Sequence, residues 1–302
     1  MSRKGQAAGA DPRQRGDFST LPPAVHFDPV ILPDLAQAYY ARRAARLRQL
    51  GETSELAAYL GFAADITDVQ DAASALVPAH EARALPIDPV AEAEGGLWLP
   101  LLDALVDGLR ARVTETVRPH LDHVAEMSGE ARRQAAAALA GGRFAEVPAE
   151  VAPFVWAAFS IWLRALAAGA ILPSTGDDAA AEHAQCPVCG IAPVASVILT
   201  GARQGLRYLH CALCETDWHM VRAKCSNCGD AGKLEYLSFE TAEASVRAEC
   251  CGHCKGYLKV VSLDRDHAAD VVADDLATLP LDAAVEEEGY RRTGFNPFAL
   301  PG

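Results

Sequence analysis

Eight cysteines in four Cys-x-x-Cys pairs are the residues of this sequence best suited to chemistry. The chain has nine cysteines, and all of them lie between residues 186 and 254. Two cysteines three positions apart on a tight turn can place both thiolates on one metal ion, and two such pairs complete a closed tetrahedral site. The pairs therefore predict two metal sites with the ligands Cys186, Cys189, Cys211, Cys214, Cys225, Cys228, Cys251 and Cys254.

The intervals between the pairs predict how they combine. Twenty-one residues separate the first pair from the second, 22 separate the third from the fourth, and only 10 separate the second from the third. This spacing is typical of an internal duplication of one unit, built from a cysteine knuckle, strands and a second knuckle. We expect pairs one and two to bind one ion, and pairs three and four to bind the other. A crossed arrangement, first with third and second with fourth, is the alternative.

The ligand set restricts the metal and its chemistry. Four thiolates in a tetrahedron suit mononuclear iron or Zn²⁺, and the sequence does not choose between them. A four-cysteine site has no open position for a substrate, which disfavours a Lewis-acid hydrolase. A structural metal and a redox-active iron both stay open. Cys250 falls outside the pair spacing, and in an extended chain its side chain would point away from the ion. We interpret it as a small buried residue, with a substitute ligand or a reactive thiol as the alternative.

Short strands are predicted around the cysteine pairs. Gly190 and Gly229 follow the first and third pairs, where a positive φ would let backbone N–H groups point at sulfur. So small a β unit has little core, so its metal must supply much of its folding free energy. Knuckles at the ends of a small sheet describe zinc ribbons and rubredoxin-like folds. Apolar and β-branched runs place the strands at 194–199, 206–210, 234–239, 246–249 and 257–263.

The region before the cysteines predicts an all-α helical domain. Segment 78–97 is rich in Pro and Gly and indicates a loop, and Pro119 should end or kink the helix before it. The apolar segment 151–172 is about long enough to cross a membrane, but the internal Arg164 and the early Pro153 favour a central helix of a bundle. Apolar residues recur at helical spacing over 36–50, 54–76, 99–113 and 130–140.

The fold class is therefore α+β, with a short helical C-terminal tail. In that tail Asp274 and Asp275 should face solvent, and the apolar segment 294–302 should pack on the rest of the chain. The predicted parts are a mobile tail over 1–20, the helical domain over 21–182, a metal-binding module with two four-cysteine sites over 183–265 and an acidic helical extension over 266–302.

Charge and the N-terminal residues bound the function. The formal net charge is −13, and the cysteine module is almost neutral, with nine basic and eight acidic residues over 183–265. This balance disfavours general binding to nucleic acid, whose affinity depends on neutralising phosphates. The first 18 residues lack the apolar core of a secretory signal. We therefore expect a cytoplasmic protein without a membrane span, and in that compartment paired cysteines usually bind metal or do redox chemistry.

Several stretches resemble the formate dehydrogenase accessory protein family FdhE. The resemblance is specific from Cys186 to the C-terminus, and it carries the family's four cysteine pairs onto the eight cysteines named above. It implies a cytoplasmic, iron-binding, rubredoxin-like protein that is not an enzyme. Such a protein would bind the catalytic subunit of a molybdenum- or tungsten-dependent formate dehydrogenase before export. The stretches are 205–211 (GLRYLHC), 214–219 (CETDWH), 224–228 (KCSNC), 273–277 (ADDLA) and 296–298 (NPF).

Two other functions remain as alternatives. A zinc-ribbon module that binds nucleic acid would use the knuckles together with the nearby Arg203, Arg207, Arg222 and Lys224. A small redox protein would use rubredoxin-like iron in the same cysteine sites. The near-neutral charge of the module argues against the first, and the second requires iron with a visible absorption that a reductant bleaches.

Overall fold

The computed structural model describes residues 28–172, 184–239 and 243–301, so the predicted mobile tail over 1–20 lies outside the described residues. The helices are α1 (Tyr39–Gly51), α2 (Ala57–Ala73), α3 (Pro89–Gly95), α4 (Leu99–Leu109), α5 (Arg118–Glu126), α6 (Gly129–Ala140), α7 (Ala152–Ala168), α8 (Val271–Ala277) and α9 (Leu279–Glu287). The strands are β1 (Val30–Ile31), β2 (Pro193–Ile198), β3 (Arg207–Cys211), β4 (Asp217–His219), β5 (Leu234–Leu237), β6 (Val246–Cys251), β7 (Gly256–Ser262) and β8 (Arg291–Arg292). The predicted α+β class is confirmed.

Helix α7 forms the centre of the helical part, as its apolar sequence predicts. Fifteen of its 17 residues are buried, and it packs against α2, α4 and α6. Its Phe159 meets Trp98 edge to face, with ring centroids 5.4 Å apart, a geometry that aromatic pairs favour. Among the described residues, no helix combines the length and apolar character that crossing a bilayer requires.

Two segments of the helical part differ from the prediction because of proline. The segment predicted as a loop contains α3, since the Asp88 carboxylate accepts hydrogen bonds from the Val90 and Ala91 backbone N–H groups and Pro89 occupies the first turn. Proline is well tolerated there because the first N–H groups of a helix have no partner within it. For the same reason Pro119 lies in the first turn of α5. It begins a helix and does not kink α4.

The strands join into one eight-stranded sheet that contains a repeat. Strands β2, β3 and β4 pair antiparallel, and so do β5, β6 and β7. In each set, the first two strands lie between two cysteine knuckles and the third follows the second knuckle. The sets meet where β2 runs parallel to β7, with Ser196 opposite Val260. Strands β1, β4 and β8 were not predicted, because a segment of two or three residues is too short to show an alternation of apolar and polar side chains.

The C-terminal helices pack against the sheet and against α1. Phe295 and Phe298 are buried, which confirms the predicted packing of the last segment. The prediction that Asp274 and Asp275 face solvent is wrong, because both carboxylates are buried in ion pairs. Asp274 lies 2.6 Å from an Arg46 nitrogen of α1, and Asp275 lies 3.1 Å from Lys259 Nζ of β7. The partners come from distant parts of the chain, and burial without them would be costly.

Candidate metal centre

The first two cysteine pairs come together inside the main core. Cys189 Sγ lies 3.4 Å from Cys214 Sγ and 3.5 Å from Cys211 Sγ, and Cys186 Sγ lies 3.6 Å from Cys214 Sγ. All four cysteines are buried, and they belong to the same apolar cluster as helix α7. We call this group the first centre.

The last two pairs form a second group at the surface. Cys225 Sγ lies 3.8 Å from Cys254 Sγ, and Cys228 Sγ lies 3.7 Å from Cys251 Sγ. Cys228 is exposed and Cys254 is partly exposed, whereas Cys225 and Cys251 are buried. We call this group the second centre. The sulfurs therefore assemble sequentially, as the intervals predict, and not in the crossed arrangement.

The sulfur positions fit a tetrahedral metal. A metal–sulfur bond of about 2.3 Å places the sulfurs of a tetrahedron about 3.8 Å apart. The separations of 3.4 to 3.8 Å are close to this value, and within each group all four sulfurs lie within 4.8 Å of one another. Each group could thus hold one ion with four thiolates, and this ligand set accepts iron as well as zinc.

The four knuckles share one backbone conformation. Gly190 and Gly229 have φ values of 73° and 76°, as predicted from their position after the second cysteine. Glu215 and Lys255 occupy the same position in the other two knuckles, with φ values of 61° and 58°. The turn brings backbone N–H groups to sulfur, and both the Leu213 and the Cys214 nitrogens lie 3.4 Å from Cys211 Sγ. Positive φ is unfavourable for Glu and Lys, so the shared turn requires this conformation whatever the side chain.

The helical part contacts the first centre directly. The indole N–H of Trp156 on α7 donates a 3.0 Å hydrogen bond to the Ala212 carbonyl, inside the second knuckle. Trp156 also meets Phe295 edge to face, with ring centroids 5.4 Å apart. One buried side chain therefore connects the central helix, the metal knuckle and the C-terminal segment.

A buried charged cluster also connects α1 to the second knuckle. Glu215 forms two hydrogen bonds with the guanidinium of Arg43, at 2.8 and 3.0 Å. Burial opposes ionisation of Glu215, but Arg43 and then His210 outweigh it and hold the Glu215 pKa well below its usual range. Burial lowers the pKa of His210, whereas Asp217 and Glu215, each 2.7 Å from a ring nitrogen, raise it to about 10. Arg43 lies among the apolar residues on the buried face of α1 because its ion-pair partner, Glu215, is also buried.

Polar groups surround the second centre instead of a hydrophobic core. Asn227 Nδ2 lies 3.6 Å from Cys254 Sγ, and His253 Nδ1 lies 3.8 Å from Cys228 Sγ. The Gly256 N–H lies 3.4 Å from Cys254 Sγ. Burial opposes the thiolate of Cys254, but the Gly256 N–H and Asn227 outweigh it and lower the Cys254 pKa to about 7. The two centres therefore share one turn and one ligand set but differ in their exposure to solvent.

Cys250 lies outside both groups. Its side chain is buried beside Tyr257, Leu281 and Tyr290, and burial raises the pKa of its thiol to about 12. This confirms the interpretation of a small buried residue, because a buried protonated thiol is a poor nucleophile and a poor ligand.

The comparisons with known proteins match nearly the whole described chain. Three family models match consecutive segments: FdhE N-terminal over residues 27–175, FdhE central domain over 185–222 and FdhE C-terminal domain over 223–299. The FdhE homologue of Pectobacterium carotovorum is 38% identical over 291 residues, which is 92% of this chain and 93% of that protein. The chain belongs to the FdhE family.

Other members of the FdhE family are similarly close. The homologue of Edwardsiella ictaluri is 41% identical over 286 residues, covering 91% of this chain and 92% of the relative. The crystal structure of the FdhE protein from Pseudomonas aeruginosa superposes with a TM-score of 0.76 at 35% identity, over 90% of this chain and 99% of that one. The resemblance noted from the motifs is confirmed. The boundary between the central and C-terminal models, at residues 222 and 223, separates the first centre from the second.

Proposed function

We propose that this FdhE-family protein is a non-catalytic accessory factor for formate dehydrogenase. In this proposal it binds the catalytic subunit in the cytoplasm before that subunit is exported. The observation that carries the proposal is the closed ligand set of both centres in a chain that belongs to the FdhE family along nearly its whole described length. Four thiolates leave a metal no open position for formate. A role in holding or checking a partner fits such sites better than turnover does.

The proposal assigns the metal as well. Each four-cysteine group binds one iron ion in a rubredoxin-type site, and Zn²⁺ is the alternative occupant. The ligands are Cys186, Cys189, Cys211 and Cys214 in the first centre, and Cys225, Cys228, Cys251 and Cys254 in the second. When bound, the ion supplies a fixed tetrahedral crosslink and, as iron, one exchangeable electron. The chain itself supplies the thiolates, the backbone N–H groups that donate hydrogen bonds to them and the scaffold of strands.

The second centre is the better candidate for contact with the partner. Its Cys228 is exposed, while every cysteine of the first centre is buried. Tyr236 on the neighbouring strand β5 is 45% exposed, and aromatic side chains are enriched at interfaces. We therefore place the docking face on this side of the sheet.

A pull-down tests the proposal with matched variants. Anaerobically purified, metal-saturated protein is mixed with the tagged catalytic subunit of the formate dehydrogenase from the same organism. We expect the wild type and Cys250→Ser to be retained, and Cys228→Ser to be lost. Cys250→Ser is the matched control because it removes a thiol outside both centres. Absence of association for wild-type protein that carries two ions per chain would count against the partner.

A redox role is the second candidate, and the exposure of Cys228 favours it. An electron can reach a metal whose ligand lies at the surface more readily than one inside the core. In contrast, nucleic-acid binding loses one of its candidate cations. Arg207 is buried and lies 2.8 Å from a Glu249 carboxylate oxygen, so it is not available to a phosphate. A reversible visible spectrum in natively produced protein supports the redox role, and a colourless, zinc-loaded protein excludes it.

A further inference from the structure

A cleft of about 630 Å³ lies between the helical part and the sheet, and no cysteine of either sulfur group lines it. Its size falls within the usual range for small-molecule sites. Helix α1 forms one side, strands β2 to β4 form the other, and the residues before α8 close one end. Its wall combines apolar side chains with charged ones. The larger aliphatic members are Ile31, Leu32, Val197, Leu199, Leu263 and Val271.

Arg164 of α7 contributes a buried cation to this wall. The residue is 5% exposed, and no carboxylate of the described residues lies within ion-pairing distance of it. One guanidinium nitrogen donates a 3.0 Å hydrogen bond to the Asp34 backbone carbonyl, while Nε is buried without a hydrogen-bond acceptor. The group lies 5.1 Å from the ring centroids of Tyr39 and Tyr40, but aromatic faces offset only part of the cost of burying a charge. A buried charge without a counter-ion is expensive and uncommon.

Arg42 adds a second cation to the same cleft. It is exposed on α1, and its one side-chain hydrogen bond among the described residues goes to the Gln37 side-chain carbonyl oxygen, at 3.1 Å. No ion pair to a described carboxylate satisfies its charge. Two arginines from different helices thus face one cleft with their charges uncompensated.

The acidic groups of the wall do not provide the missing counter-charge. Glu215 is already paired with Arg43, and Asp217 with His210. Asp270 is engaged by Arg43 and by the backbone N–H groups that open α8. Asp34 is exposed, and its carboxylate accepts hydrogen bonds from the turn that follows it. The positive charge of Arg164 therefore has no counter-ion among the described carboxylates of the wall, and this favours an anionic ligand.

We propose that this cleft binds a small organic anion, whose carboxylate or phosphate group is held by Arg164 and Arg42 and whose apolar portion lies against Val197 and Leu199. The planar guanidinium fork matches an oxyanion with two parallel hydrogen bonds, and such charge-assisted bonds are strong. The apolar wall excludes a fully hydrated inorganic ion as the preferred ligand. This site does not depend on the proposed accessory function, because its lining includes no residue of the second centre.

Calorimetric titration of the full-length, metal-loaded protein tests the proposal with three probes of similar apolar length. Hexanoate and hexyl phosphate carry the two head groups, and hexanamide is the neutral counterpart. We expect at least one anionic probe to bind about ten-fold more tightly than hexanamide, as a charge-assisted hydrogen bond implies. Which of the two anions binds identifies the head group.

Variants separate this site from non-specific binding. We expect Arg42→Gln to weaken the anionic probe about ten-fold and Arg164→Gln to abolish its binding. Asp34→Asn should tighten it, because it removes a nearby negative charge. Arg110→Gln is the matched control, since Arg110 is a surface arginine that lies away from the cleft. Arg42 is exposed, so its variant tests the site even where Arg164→Gln fails to fold. Equal affinity for hexanoate, hexyl phosphate and hexanamide, or wild-type affinity in Arg42→Gln, overturns the proposal.

Discussion

A buried ion cluster anchors the C-terminal segment to the sheet, and its charge balance gives a quantitative prediction. Lys259 of β7 is fully buried, and its Nζ lies 2.6 Å from the Asp282 carboxylate and 3.1 Å from that of Asp275. Arg292 lies 2.7 Å from Asp275 and 3.2 Å from Asp282. Two cations therefore face two carboxylates. Lys259→Met leaves two acids with one cation, and Asp275→Asn leaves two cations with one acid.

The magnitude follows from this imbalance. Removing one partner of a buried pair costs about 3–5 kcal/mol, because the other charge stays buried without compensation. We expect each single variant to lose that much unfolding free energy. The double variant Lys259→Met/Asp275→Asn leaves Arg292 with Asp282, which is balanced again. Its loss should fall short of the sum of the two single losses by about 2 kcal/mol or more, within the range of coupling energies for residues in contact.

Equilibrium urea unfolding of metal-saturated protein measures these differences. Asp107→Asn serves as the control because its carboxylate is 78% exposed and pairs at the surface with Arg110. It should change the unfolding free energy by less than about 1 kcal/mol. Additive losses in the double variant, or a Lys259→Met protein as stable as the wild type, would refute the charge-balance argument.

Three further predictions concern the centres. A chelator should remove the ion of the second centre first, because its ligand Cys228 is exposed. Cys228→Ser should leave a protein with one slowly exchanging ion, that of the first centre. Elemental analysis over time measures both outcomes. Lys255→Gly should leave the unfolding free energy unchanged or raise it by about 1 kcal/mol, because glycine adopts positive φ without strain. Gly229→Ala should lower it by about 1 kcal/mol or more, because alanine is strained at positive φ. Thermal unfolding distinguishes the two variants. Trp156→Phe should cost about 1–3 kcal/mol, because the Ala212 carbonyl loses its buried donor, and denaturant unfolding measures the loss.

The cysteine groups could be predicted from the sequence because their geometry is local. Two thiolates three residues apart and a repeated interval determine which sulfurs can meet. Helix α7 was equally predictable, because Arg164 is the one charged residue in its long apolar run. The boundaries proposed at residues 20, 182 and 265 stay predictions. Pro119 shows the limit of a local rule, since the same ring that breaks a helix interior suits a first turn.

The buried charges could not be predicted, because each depends on a partner far away in the chain. Arg43 and Glu215 are 172 residues apart. Asp274 and Arg46 are separated by 228 residues. An acidic residue on a short helix is usually solvated, and no residue near Asp274 in the sequence indicates that a cation pairs with it. These ion pairs form only when the fold brings α1, the second knuckle and α8 together.

The two centres look equivalent in sequence, yet the fold gives them unequal surroundings. The first is covered by α7, and Trp156 hydrogen-bonds to its second knuckle. Opening it would require separating the helical part from the sheet. The second has Cys228 exposed at the surface with His253 beside it. A repeat that builds two identical ligand sets thus provides one centre fitted to hold the molecule together and one that a partner, an electron donor or a chelator can reach. Differences between the centres in exchange rate, and not in ligand type, should therefore decide which of them acts in function.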